Sequence, residues 1–281
     1  MRPVSSASRD MLHVFAIAAF TVALPAFTQT TALPPANQLP RFDVATIKPV
    51  EPVTPHPTDV KVYPDGRVIL RGFSLMGLIE TAYNISYWQL SGGDPWTKKD
   101  LYDVEAKAPE SSPHTQYDLR YTWWRIEDSR LREMLQALLI DRFQLKLRQE
   151  SSTGTIYLLE IHGKTTLLHP TSADSVQHPF ENDGRSGDVG HAGDRWVLYN
   201  TSMPQLAKFI SDVVLHRAVQ DRTGLHGYFD AKWTETLTDP SHYDAMDSFP
   251  DFLQAMGLKL AKSTGTVETF VIDHAEKPTP N

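Results

Sequence analysis

Cysteine is absent from the 281-residue sequence. The fold therefore has no disulfide, no thiolate metal ligand and no cysteine nucleophile. The 11 histidines are never spaced as HxH, HxxxH or HExxH, the patterns that place two ligands on one face of a strand or helix. A GxSxG nucleophile elbow and a glycine-rich phosphate loop are also missing. We therefore expect no metal, no cofactor and no catalytic residue of a known motif.

An excess of positive charge is missing too. The formal net charge is −7 at pH 7, and no run of lysine or arginine supplies the phosphate-neutralising surface that nucleic-acid binding needs. We therefore expect no nucleic-acid partner. The composition, 41% hydrophobic and 22% charged, is that of a globular protein. The length allows one large domain or two small ones.

Long apolar runs are scarce. The run from Val14 to Leu24 has about 11 residues, whereas a helix that spans a bilayer takes roughly 20. Arginines precede this run and a proline follows it, as is typical of a secretory signal peptide. The sequence predicts a signal peptide over residues 1–28, cleaved near residues 26–28. The mature chain is expected to be periplasmic or extracellular, without an integral membrane segment.

The sequence does contain a recurring alternation of strand and helix patterns. Gly66–Leu75 has the pattern of a strand that leads into a helix, and Asp194–Met203 has the same form 128 positions later. Each continues through a second strand, a second amphipathic helix and a hairpin that turns at Gly154 or Gly265. The pattern predicts an α+β fold of two similar units, with mixed sheets packed by amphipathic helices and related by an internal duplication.

The expected organisation has five parts, separated by shifts in composition. They are a signal peptide (1–28), a flexible, proline-rich leader (29–40), a first α+β unit (41–162), a polar linker or long loop (163–193) and a second α+β unit (194–281).

Six segments carry a family resemblance: Phe42–Pro49, Gln89–Gly93, Tyr102–Pro109, Leu135–Phe143, Asp221–Tyr228 and Val271–Pro278. In these motifs the chain resembles a soil-associated family of exported bacterial proteins of unknown function, expanded in acidobacteria. The resemblance runs from the first of these segments to the C-terminus and implies no catalytic residues. Each half is also weakly similar to the short N-terminal modules of secretins and TonB-dependent transducers, small βαβ units that dock partners in the periplasm.

Tryptophans form the first group of candidate site residues. Trp88 and Trp96 flank the Ser91–Pro95 segment, and Trp123 and Trp124 lie in the loop before a predicted helix. If these rings are exposed, they indicate a face that binds carbohydrate or protein. Packing within the core is the alternative, because large aromatic rings are mostly buried.

Polar residues of two further motifs form the second group. Asp221, Arg222, Asp273 and His274 carry groups that a hydrolase with an unconventional site would use. Turn capping and ion pairing explain the same residues without any catalysis.

The sequence as a whole favours a non-enzymatic envelope module that binds a protein partner or itself, through an exposed sheet edge. The export signal, the duplication and the missing catalytic motifs support this interpretation. Two alternatives stay open. They are a protein that binds a small ligand or glycan between its halves, and a hydrolase built on the second group of candidate residues.

Overall fold

A computed structural model describes residues 29–31, 33–51, 58–110, 121–122, 125–164, 167–171, 188–192, 195–234 and 245–278. The helices are α1 (Leu75–Tyr83), α2 (Trp96–Lys99), α3 (Ser129–Phe143), α4 (Met203–Phe209) and α5 (Ala245–Ala255), with 3-10 turns at Ala36–Gln38 and Tyr87–Gln89 and a π-helical turn at Ile210–Leu215. The strands are β1 (Gln29–Thr31), β2 (Val44–Val50), β3 (Asp59–Val62), β4 (Arg67–Ser74), β5 (Leu90–Gly92), β6 (Leu101–Lys107), β7 (Tyr121–Thr122), β8 (Arg125–Ile126), β9 (Lys146–Ile161), β10 (His169–Thr171), β11 (Asp188–Ala192), β12 (Arg195–Thr201), β13 (Val219–Asp221), β14 (Tyr228–Thr234) and β15 (Leu258–His274).

The first half is built around an antiparallel sheet with the strand order β2-β6-β4-β3. Apolar residues on one face of this sheet form a core with those of α1 and α3. Helix α1 begins at Ser74, whose hydroxyl accepts from the Gly77 N–H at 3.2 Å. It ends at Asn84, which takes the left-handed conformation (φ 51°) common at helix C-termini.

The second half is also built around an antiparallel sheet, with the strand order β10-β14-β12-β11, and its core includes residues of α4 and α5. Trp196 lies at its centre, with its ring centroid 4.9 Å from that of Phe249 and 5.7 Å from that of Phe252. Its indole N–H is not left unsatisfied in the core, because Nε1 donates to Ser248 Oγ at 2.9 Å.

A long antiparallel ladder of β9 and β15 joins the two halves, with Gly154 opposite Gly265. One end of the ladder contributes residues such as Ile272 to the first core, and the other end contributes Leu159 and Leu258 to the second. Three short strands pair with the outer edges of the ladder. Of these, β1 is antiparallel to β9, β13 is parallel to β9, and β5 is parallel to β15.

The α+β class with mixed sheets is confirmed, and helices begin after Ser74 and Ser202 as the sequence predicted. The hairpin turns expected at Gly154 and Gly265 are wrong, because each glycine lies in the middle of a continuous strand. Glycine is needed at these positions because a side chain would lack space, not because the chain turns. A Cβ atom on Gly265 would lie 2.5 Å from Ile156 Cδ1.

The leader expected to be flexible is partly ordered, since Gln29–Thr31 pairs with β9 and Leu33 packs against the first core. Residues 163–193, expected to be a linker or long loop, contribute strands β10 and β11 to the second sheet. The predicted signal peptide lies outside the described residues. Within the part of the chain that the structure describes, no helix is long and apolar enough to cross a membrane.

Candidate functional site

Ionisable and hydroxyl side chains meet in a largely buried position where the two halves touch. We name Glu80, Ser86, Arg125, Lys208 and Asp212 the seam cluster. Ser86 is 2% exposed, and the side chains of Arg125, Asp212 and Lys208 are 10%, 10% and 19% exposed. Buried charge is costly unless it is paired, so the contacts of these groups determine what the cluster can do.

The local backbone sets the position of each member. Asn84 ends α1, and the chain then turns so that Ser86 precedes the 3-10 turn Tyr87–Gln89. The Ser86 N–H donates to Gln89 Oε1 at 2.9 Å, which fixes this turn. On the other half, α4 widens into the π-helical turn Ile210–Leu215, which carries Asp212. Such turns are rare and are frequently found at functional sites.

The contacts within the cluster are mutual. Arg125 forms an ion pair with Asp212, and the Ser86 hydroxyl donates to the same carboxylate. Lys208 Nζ donates to Ser86 Oγ at 2.8 Å and to Asp212 Oδ1 at 2.9 Å. Beside them, Trp88 Nε1 donates to the Ser211 carbonyl at 3.1 Å. These bonds link residues of the first half to residues of the second.

Burial shifts the ionisation of three members. It raises the pKa of Glu80 from 4.5 to about 7, against the opposing effect of the Lys208 and Arg125 cations. It lowers the pKa of Lys208 from 10.5 to about 6, and the Arg125 cation acts in the same direction. It lowers the pKa of Arg125 to about 10. The Asp212 carboxylate touches both cations and opposes their loss of charge, because a contacting opposite charge favours the ionised form.

A lysine amine of lowered pKa beside a serine hydroxyl is a pair that enzymes use for acyl transfer. Here the Ser86 hydroxyl is almost fully buried, donates to Asp212 and accepts from Lys208. A substrate carbonyl cannot reach Oγ in this arrangement. The hydrogen bonds and ion pairs among Ser86, Arg125, Lys208 and Asp212 therefore form a bonded joint between the halves.

Two of the candidate tryptophans, Trp88 and Trp96, lie on the first half, and both are half-buried. Trp88 lies at the seam through its bond to Ser211. Trp96 stacks on Phe143 with ring centroids 6.5 Å apart and 12° between the ring planes, and Lys277 Nζ lies 5.8 Å from its centroid. Trp123 and Trp124 lie outside the described residues. A binding role for these rings stays a prediction.

The four polar candidates do not come together. Asp221 in β13 pairs with Leu159 of β9. Asp273 comes directly after Ile272, which pairs with Leu147 of β9. The two β9 positions are 12 residues apart, which is roughly 40 Å of strand at ~3.3 Å per residue. A single hydrolase site made from these residues is therefore not formed.

Each of the four has a local partner instead. Asp221 Oδ1 accepts from the N–H and the hydroxyl of Thr223, at 2.9 and 2.8 Å. The Arg222 guanidinium donates to a neighbouring glutamine side chain, and Asp273 holds Arg148 through two bonds of 3.1 Å. His274 contacts Glu276 at 3.1 Å. This is the turn capping and ion pairing that the sequence offered as the alternative.

A second feature is the edge of β15 that faces away from β9. Strand β5 pairs with this edge at Phe270–Ile272, and Gln89 Nε2 donates to the Glu268 carbonyl at 2.9 Å. From Leu258 to Val267, no strand among the described residues pairs with it. We name this stretch the open edge. It carries exposed Lys262 and Thr264 side chains.

Within the described residues, no group of three or more histidine, aspartate or glutamate side chains is arranged to hold a metal ion. The fold is that of an α+β protein with two cores on one ladder. The chain belongs to the family of proteins of unknown function DUF3738, whose family model matches residues 76–275. No curated protein and no solved structure matches it. The uncharacterised family is thus confirmed, whereas the soil and acidobacterial origin and the likeness to secretin modules stay predictions.

Proposed function

We propose that this protein is an exported, non-enzymatic module of the cell envelope that binds a protein partner by adding a strand to the open edge. The observation that carries the proposal is the edge of Leu258–Val267 that faces away from β9, with which no strand of the described part of the chain pairs. A strand edge presents backbone donors and acceptors, and an extended segment of a partner can satisfy them.

The ladder itself supports this mode of binding. Its edges already receive β1, β5 and β13, each only three residues long. Strand β1 (Gln29–Thr31) precedes the first α+β unit and pairs antiparallel with residues 149–151 of β9. Short extended segments are therefore suitable ligands for this ladder, and main-chain hydrogen bonds supply the affinity of such pairing.

The pairing pattern also supports the proposed internal duplication. Gly154 of β9 lies opposite Gly265 of β15, and each strand receives a short parallel strand from the other side of the fold. By this proposed symmetry, the stretch of β15 that corresponds to the β1 site on β9 is Leu260–Lys262. That stretch belongs to the open edge.

The proposal is tested by photo-cross-linking in the native cell envelope. A benzoylphenylalanine replaces Thr264, an exposed residue of the open edge, and the control variant carries it at exposed Lys48 of β2. Irradiation is expected to give discrete adducts from position 264 and none from position 48, with mass spectrometry identifying the captured chain. Absence of adducts from position 264, with the protein folded and exported, would refute strand addition.

A second candidate is binding of a glycan at the seam. Tyr87 is 49% exposed and its ring lies 5.2 Å from that of His216, beside half-buried Trp88. Aromatic rings of this kind stack on sugar faces. Calorimetric titration with envelope glycan fragments tests it, and binding lost in Tyr87→Ala would support it. The absence of any heat of binding across the fragments would dismiss it.

A further inference from the structure

We propose that the occupant of the open edge is the same edge of a second copy of this chain, paired antiparallel about a two-fold axis at Thr264. The inference rests on the proposed function and names its partner. Seven residues of each strand, Ala261–Val267, would pair and extend the ladder into a sheet shared by two molecules.

The open edge is the longest unobstructed edge in the described part of the fold. It contains no proline and continues a strand of 17 residues. Other edges are shorter or obstructed. Strand β2 contains Pro49, and Arg142 Nη2 donates to its Ala45 carbonyl at 3.3 Å. Strand β10 has three residues and contains Pro170. Proline removes a backbone donor, so it blocks strand addition.

Charge and paired length together select the register, and charge selects the direction. Lys262, Thr264, Thr266 and Glu268 are exposed and lie on the same face of β15. A two-fold axis at Thr264 places Lys262 opposite Thr266 of the second copy and diagonal to its Glu268. Diagonal neighbours on a sheet lie about 7–8 Å apart, within reach of long side chains. The symmetry repeats this attraction, so the interface has two Lys262–Glu268 pairs.

Two competing arrangements bring like charges together. A two-fold axis at Ser263 places Lys262 diagonal to Lys262 of the second copy. Parallel pairing in register places identical charges side by side at Lys262 and again at Glu268. Like charges across strands are destabilising. An axis at Gly265 would place Lys262 directly opposite Glu268, but within the open edge it pairs only Ser263–Val267 of each strand. A lysine usually guards an edge strand against unselective pairing. Among the antiparallel registers that bring Lys262 close to Glu268, the one about Thr264 pairs the most residues of the open edge.

The test is the oligomeric state of the mature protein by analytical ultracentrifugation over a wide concentration range at low salt. A monomer–dimer equilibrium is expected. Lys262→Glu and Glu268→Lys should each raise the dissociation constant by about tenfold or more, because attraction becomes repulsion at two symmetric positions. The double variant K262E/E268K should recover most of the affinity, since it exchanges the charges without removing them.

Lys146→Glu is the matched control, because Lys146 is exposed on the same ladder but lies outside the open edge. It should leave the dissociation constant unchanged. A monomer at every concentration, or a double variant no tighter than the single ones, would overturn the inference. If position 264 cross-links another protein while the chain stays monomeric, self-pairing fails and strand addition stands. If neither occurs, both proposals fail.

Discussion

Replacing Asp212 with asparagine tests whether the seam cluster joins the two halves. The substitution keeps the size of the side chain and removes its charge. Asp212 contacts both Arg125 and Lys208, whose side chains are 10% and 19% exposed. Removing one partner of a buried pair costs about 3–5 kcal/mol, because the remaining charge is left uncompensated.

The expected loss lies at the lower end of that range. Lys208 has a pKa lowered to about 6, so at pH 7 a large share of its amine is already neutral and leaves little uncompensated charge in the variant. The Arg125 guanidinium keeps its charge at neutral pH, since its pKa stays near 10. We therefore expect Asp212→Asn to lower the free energy of unfolding by about 3 kcal/mol.

The measurement is urea unfolding at pH 7, with the slope of the transition compared between variants to verify that the denatured state is unchanged. Asp273→Asn is the control, because it removes the same charge from an ion pair with Arg148 whose side chains are 42% and 37% exposed. Exposed pairs contribute about 0–1 kcal/mol. A loss in Asp212→Asn no larger than that in the control would refute the role of the cluster as a joint.

Three further predictions concern pH, packing and reactivity. Lys208 is deprotonated more readily in the folded than in the unfolded chain, so between pH 7 and 9 its contribution to stability should rise with pH, by at most about 1.4 kcal/mol per unit. Lys208→Met should abolish that rise in urea unfolding, and an unchanged pH slope would contradict the assignment. Gly265→Ala should cost about 1–3 kcal/mol through overpacking, whereas Gly190→Ala, whose new Cβ would meet its nearest neighbour at 3.4 Å, should cost less in thermal unfolding. Ser86 should not react with a fluorophosphonate probe, because it is buried, and labelling lost in Ser86→Ala would reverse that conclusion.

Local patterns predicted the fold class and the helices well. The strand-to-helix patterns Gly66–Leu75 and Asp194–Met203 placed the starts of α1 and α4, because each pattern is contained within a few residues. The glycines of the ladder were misread for a physical reason. A glycine in a strand pattern signals a turn or a close approach of side chains, and only the pairing partner distinguishes them. For Gly265 that partner strand lies more than 100 positions away along the chain.

The site was harder to predict than the fold. Trp88 was singled out and does lie at the seam, but Ser86, Lys208 and Asp212 were missed. The contacts of Ser86 with Lys208 and with Asp212 connect residues 122 and 126 positions apart, and no local pattern encodes them. A signal existed nonetheless. Asp212 is a single carboxylate between apolar residues of one helical segment, and such a group needs a partner when it is buried.

The seam and the open edge are connected by one side chain. Gln89 accepts from the Ser86 N–H and donates to the Glu268 carbonyl, so it links the joint between the halves to the boundary of the unpaired strand. Four members of the seam cluster, Ser86, Arg125, Lys208 and Asp212, satisfy one another, whereas no strand among the described residues pairs with the open edge. An enzyme requires accessible reactive side chains, since these must reach a substrate. The distribution of satisfied and unsatisfied polar groups therefore favours recognition through the main chain over chemistry at the seam.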